Sequence, residues 1–139
     1  MKRKILSKLI EWKNKKNRKP LIVNGARQVG KTYILKEFGS HYYEKMAYVN
    51  CDKNKTLDKI FSQDYNISRI LLSLSAILHV NIEPENTLII FDEIQENPTV
   101  LNSLKYFCED ASQYHVAVAG SLLGISLHRD TSFPVGKVD

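Results

Sequence analysis

The sequence predicts an α/β fold, a parallel sheet covered by helices on both faces. Three observations predict it: short strands apolar at every position, helical patterns alternating with them, and a glycine-rich turn between the first strand and its helix. The chain has 139 residues, enough for one domain, with 43% apolar and 25% charged residues. That composition excludes collagen, a disulfide scaffold and a chain too charged to collapse.

The elements follow in order. Ile5, Leu6, Leu9, Ile10 and Trp12 recur at helical spacing with lysines between them, so the first 15 or so residues read as an amphipathic helix. Residues 1–20 hold nine Lys or Arg against the single acid Glu11, a net +8. The chain as a whole carries +5, so the remaining residues are mildly acidic and the basic character belongs to the N-terminal segment. Residues 1–19 are therefore read as a basic helix and linker, and residues 20–139 as the core. Residues 21–24 form an apolar strand ending in Gly25, and residues 32–38 a helix closed by Gly39. A second strand is expected at 46–50, a helix apolar nearly all round and hence buried at 67–78, and a third strand at 88–91. A helix at 99–110 with Val100, Leu101, Leu104 and Phe107 to bury then leads to a fourth strand at 116–119.

Cys51 and Cys108 lie 57 residues apart, in no C-x-x-C pattern and with no His pair nearby, which argues against a disulfide framework or zinc site and for a reducing, cytoplasmic setting. The N-terminus lacks a signal-peptide core because Lys8 and Glu11 interrupt it. The longest apolar run, residues 70–80, is about half of a membrane span. No membrane association is expected. The four histidines show no ligand spacing.

Gly25-Ala26-Arg27-Gln28-Val29-Gly30-Lys31-Thr32 fits G-x-x-x-x-G-K-[ST] between a strand and a helix. Glycines let the backbone curl until successive N–H groups point at phosphate, and the following helix adds its positive end. Lys31 is expected to reach the β- and γ-phosphates, and the Thr32 hydroxyl to ligate Mg²⁺. Residues 88–91 then deliver Asp92 and Glu93 at the carboxyl end of a strand, where ligands of open α/β sheets bind. Asp92 suits the metal, directly or through water, and Glu93 suits orienting the attacking water. These residues predict a P-loop NTPase, a three-layer α/β/α sandwich.

The Asp-Glu strand is third in sequence, and a glutamate directly follows the metal aspartate, which favours an ATPase over a nucleotide kinase. A GTPase would place D-x-x-G here, but Asp92-Glu93-Ile94-Gln95 has no glycine. The stretch from Asn54 to Asp58 precedes the Asp-Glu strand and has one residue too many for a guanine box. Ser121, after the fourth strand, is a candidate sensor of the γ-phosphate, with a helix cap as the plainer role. Asn50, after the second, is a candidate to hydrogen-bond Glu93 and hold it idle, with a turn residue as the plainer role.

Residues 18–32, the box Phe91-Asp92-Glu93-Ile94-Gln95 with Pro98, and the pair Gly120-Ser121 together resemble the AAA-type ATPase core of bacterial and archaeal proteins with a poorly known C-terminal domain. The resemblance implies a sheet of order 5-1-4-3-2. It assigns Lys31 and Thr32 to Walker A, Asp92 and Glu93 to Walker B, and Ser121 to the first sensor. It also implies ATP and Mg²⁺ as ligands, a homo-oligomer or partner protein, and Arg129 as a candidate arginine finger. The ending, residues 132–139, resembles the approach to the fifth strand. The fifth strand, the lid and the C-terminal domain are thus expected to be missing, leaving residues 21–24 as an unpaired sheet edge.

The expected function is Mg-dependent ATP binding with hydrolysis in the complete protein. A nucleotide-gated interaction module with little turnover is the first alternative. A nucleic-acid-associated ATPase using the basic N-terminus is the second, weakened because aromatic interleaving there amounts to Trp12 alone.

Overall fold

The computed structural model describes residues 2–15, 19–25, 29–121 and 136–138, of which 2–5, 24, 25, 29–31, 121 and 136–138 are described by their backbone alone. The elements run α1 (Lys2–Lys13), β1 (Leu21–Gly25), α2 (Val29–Tyr42), β2 (Lys45–Asn50), α3 (Lys55–Gln63), α4 (Ile67–Leu78) and β3 (Thr87–Asp92). A 3-10 turn (Ile94–Glu96), α5 (Pro98–Asp110), β4 (His115–Ser121) and β5 (Gly136–Val138) complete them. All five strands are parallel in one sheet, ordered β2-β3-β4-β1-β5.

This is the expected α/β/α fold and strand order, with one correction. The fifth position is filled: Gly136, Lys137 and Val138 pair with Leu21, Ile22 and Val23. The P-loop strand β1 is therefore interior, between β4 and β5, rather than an open edge. Three residues after Pro134 are enough to continue the ladder, because a parallel partner needs only backbone donors and acceptors in register.

Two apolar clusters occupy the two faces of the sheet. Alternation along the strands divides them: Leu21 and Val23 of β1 and Leu88 and Ile90 of β3 face α1 and α2, whereas Ile22, Ile89 and Phe91 face α3, α4 and α5. Both faces are covered, which is why the strands carry no polar stripe. The helix α1 joins the sandwich through Leu9 and Trp12, both buried. Trp12 stands edge-on to His115 at 5.8 Å and donates Nε1–H to the Lys19 carbonyl at 2.7 Å.

Local chemistry starts the helices on the α3–α5 face. Asn54, Asn66 and Asn97 sit at the N-caps of α3, α4 and α5, and their side chains accept from Leu57, Arg69 and Val100 N–H. Pro98 occupies the first turn of α5, where no N–H is needed. Asn54, weighed above as part of a faint guanine box, is thus a helix cap, and the helix it starts was not anticipated.

Two further expectations are corrected. Gly39 does not close α2, which runs on to Tyr42. The glycine is internal because the helix lies close to the sheet there: an added Cβ would stand 2.4 Å from Met46 Sδ and 3.2 Å from Leu88 Cδ2. The helix α4 is not buried all round, since Ile67, Ile70, Leu71 and Leu74 face the core while Leu72 is 75% exposed. Among the described residues no helix is long and apolar enough to cross a membrane.

Candidate nucleotide site

The carboxyl ends of the strands converge on one edge of the sheet. Gly25 at the end of β1 is in register with Ser121 at the end of β4, and Asn50 at the end of β2 with Asp92 at the end of β3. The helix α2 starts at Val29 on this same side, with Gly30, Lys31 and Thr32 in its first turn. Ala26, Arg27 and Gln28, together with Arg129, lie outside the described residues, as do the side chains of Lys31 and Ser121.

Asp92 is the centre of the described part of the site. It is 6% exposed, and both carboxylate oxygens are engaged. Oδ2 accepts from the Thr32 hydroxyl at 3.0 Å and from the Tyr48 hydroxyl at 2.5 Å, while Oδ1 accepts from the Glu93 N–H at 3.0 Å. The first of these bonds joins the ends of two predicted motifs 60 residues apart in sequence. A carboxylate buried among three donors is fixed in orientation, and charge-assisted bonds of this kind are about twice as strong as neutral ones.

The same negative charge governs its neighbours. The Tyr48 phenol is pushed far above its ordinary range by burial and then by its bond to Asp92, so it remains a donor at any physiological pH. Lys36 lies 4.0 Å over the Tyr48 ring centroid, so a cation faces the ring. Burial, then the charges of Asp92 and Glu93, push the Cys51 thiol up to about 12. Cys51 is thus a neutral core residue, and its N–H extends the β2–β3 ladder by donating to the Asp92 carbonyl at 2.8 Å.

Glu93 has a left-handed backbone, φ 54° and ψ 46°, and opens the 3-10 turn. That turn folds Gln95 back so that its Nε2–H donates to Glu93 Oε1 at 2.8 Å. Asn50 was expected to make a bond of this kind. Its Oδ1 instead accepts from the Asp52 N–H at 2.9 Å, the local turn role. Gln95 and Tyr48 were not anticipated as site residues. For Tyr48, the alternation of β2 that sends Ala47 and Val49 into the α3–α5 core was a usable signal, because it sends Tyr48 to the face shared with α2. Gln95 had no comparable signal beyond its place two residues after Glu93.

The donor set suits a hard cation shared with phosphate. Among the described residues no three His, Cys, Asp or Glu side chains converge, so a cage built wholly from protein is not offered. A hydroxyl and a carboxylate 3.0 Å apart at a helix N-terminus do fit Mg²⁺, which is usually held by one or two protein oxygens, waters and the phosphates themselves.

A family model described as an AAA domain matches residues 17–139. Among curated proteins no sequence matches this chain. Among solved structures the chain is similar to C. elegans PCH-2, with a TM-score of 0.53 and 14% sequence identity over 99% of this chain. The chain spans 42% of that structure's chain, and at this identity the likeness is one of fold.

Proposed function

We propose that this chain, which belongs to the AAA domain family, binds MgATP at the carboxyl edge of its sheet and hydrolyses it there. One observation supports the reading above the others: the Thr32 hydroxyl at the start of α2 lies 3.0 Å from Asp92 Oδ2 at the end of β3. A hydroxyl and a carboxylate brought together at a helix N-terminus are the pair of oxygens that a phosphate-bound Mg²⁺ would use.

In this reading the backbone of residues 25–30 and the N-terminus of α2 cradle the phosphates, and Lys31 neutralises the β- and γ-phosphate oxygens. Thr32 and Asp92 would hold Mg²⁺, which when bound would supply charge neutralisation at the phosphates. Glu93 orients a water in line with the β–γ bond and accepts its proton as the oxygen bonds to the γ-phosphorus and ADP departs. Ser121, across from Gly25 in register, senses the γ-phosphate. Positioning and charge neutralisation carry most of the catalysis in such transfers.

The basic side chains of α1 are read as a solvated face. The burial of Leu9 and Trp12 supports this, because it gives the amphipathic pattern a packing purpose without nucleic acid. A binding constant for nucleic acid that fell steeply with salt would count against it.

Thermal unfolding with MgATP, with MgGTP and without nucleotide tests the proposal. A ligand at 100 times its Kd adds ~2.7 kcal/mol to stability, and the expected result is a rise in Tm with MgATP that exceeds the one with MgGTP. No rise with either would overturn it.

A further inference from the structure

Glu93 is held from a side that the nucleotide motifs do not supply. Its left-handed backbone ends β3 abruptly, and the 3-10 turn that follows returns the Gln95 side chain to the Glu93 carboxylate at 2.8 Å. A carboxylate can only accept, so the Gln95 amide must present its N–H to Glu93 and turn its Oε1 the other way. On that other side lies β4. A Cβ added to Gly120 would stand 2.5 Å from Gln95 Oε1 and 2.8 Å from Ile94 Cγ2. Gly120 is buried, and Ser121 follows it directly. One amide therefore spans the gap between the carboxylate and the strand end that carries the expected sensor, and the absence of a side chain at 120 makes room for it.

We propose that Gln95 is a positioning residue for Glu93: its amide fixes the carboxylate and ties its orientation to the Gly120–Ser121 end of β4, so that a displacement of that strand end by nucleotide is passed to Glu93. The proposal rests on the ATPase reading given above. A shift of β4 moves the amide, because Gly120 lies close against Oε1. Glu93 then turns with it.

The test uses the full 139-residue chain with Gln95→Ala, Gln95→Glu, Gly120→Ala and the double variant Gln95→Ala/Gly120→Ala. Gln95→Ala should leave the Kd and KM for MgATP within about twofold and lower kcat roughly tenfold or more, since misplacing a reacting group by ~1 Å costs about a hundredfold. Gln95→Glu replaces a donor with a like charge and should lower kcat further. Gly120→Ala should reproduce the Gln95→Ala loss, and the double variant should be no worse than the more impaired single variant, because both changes break one linkage. Independently of turnover, the side-chain amide resonances of Gln95 should move in Glu93→Gln and on addition of a non-hydrolysable ATP analogue.

Wild-type kcat in Gln95→Ala, additive losses in the double variant, or a Gln95 amide signal indifferent to Glu93→Gln would each overturn the assignment. If Gly120→Ala does not fold, Gln95→Ala and the amide signal still decide. Failure of the unaltered chain to bind MgATP sinks the ATPase reading, whereas binding with an analogue-insensitive Gln95 amide sinks this proposal alone.

Discussion

Tyr48 donates its hydroxyl to Asp92 Oδ2 at 2.5 Å, on the same oxygen that receives Thr32. Two strands and a helix thereby meet on one carboxylate oxygen, and Tyr48 restrains Asp92 as a neutral hydroxyl donor. Removing that donor should loosen the carboxylate. A hydrogen bond to a charged group contributes about 1.5 kcal/mol, and 1.4 kcal/mol is tenfold in affinity. Tyr48→Phe should thus weaken the apparent Mg²⁺ affinity at fixed ATP by about tenfold, while saturating Mg²⁺ restores ATP binding. A Mg²⁺ titration of the ATP-dependent thermal shift measures it, and coincident titrations for the two proteins would remove Tyr48 from the site.

The two motifs should separate binding from turnover. Lys31→Ala removes the cation expected at the β- and γ-phosphates and should abolish nucleotide binding. Glu93→Gln keeps shape and hydrogen bonding but cannot take a proton, so binding should persist while turnover falls at least a hundredfold. Calorimetric titration and phosphate release read the two effects. Equal loss of binding in both variants would contradict the roles assigned.

What the sequence made legible is the part written in local patterns. Strands apolar on both faces announce a parallel sheet, and Gly25 to Thr32 and Asp92-Glu93 announce themselves by spacing. The missed helix α3 had its signal in Leu57, Ile60 and Phe61, all buried at helical spacing behind the cap Asn54, but the charges between them hid it. Gly39 misled because its reason is tertiary, the closeness of Met46 and Leu88, and not a helix end. Gln95 was illegible for a similar reason, and for Tyr48 the alternation of β2 gave the face of the sheet but not the partner. Tyr48 meets Asp92 across 44 residues, and Gln95 reaches Glu93 only because Glu93 adopts a left-handed backbone that a bulky residue rarely takes. The exchange of Asn50 for Gln95 follows: side-chain type suggested a partner for Glu93, and backbone geometry chose which one.

Phe91 joins the core to the site, since the residue after it is Asp92. Its ring lies 6.0 Å from Phe61 in an edge-on pair and 6.2 Å from Phe107, fully buried. Phe91→Ala leaves a cavity among rings held by three elements and should destabilise the fold by about 3–5 kcal/mol. Urea unfolding would record it as a lower midpoint with an unchanged slope. A loss under about 1 kcal/mol would mean that α3 and α5 close over the gap.

The turn between α3 and α4 should make stability sensitive to acid. Asp64 Oδ1 accepts from the Asn66 N–H at 3.0 Å and from Arg69 Nε–H at 3.0 Å, and these two bonds hold its carboxyl below the ordinary value. Arg69 also donates Nη2–H to the Ile60 carbonyl at 2.6 Å, so the pair pins the end of α3 to the start of α4. A carboxyl whose folded pKa is depressed binds fewer protons in the folded state than in the unfolded chain. Its contribution is therefore complete above the unfolded pKa, near 4, and is lost as pH falls through the lower folded value. Glu83, depressed by Lys45 and Asn86, acts in the same window, so the difference between proteins is the informative quantity. Asp64→Asn keeps an oxygen for both donors but cannot titrate, and its urea midpoint should fall less steeply than that of the unaltered chain between about pH 5 and 2. Because Asp64 is solvent-exposed, salt at roughly 0.5 M should shrink the difference. Parallel pH profiles for the two proteins at low salt would show that the Asp64–Arg69 contact does not favour the folded state.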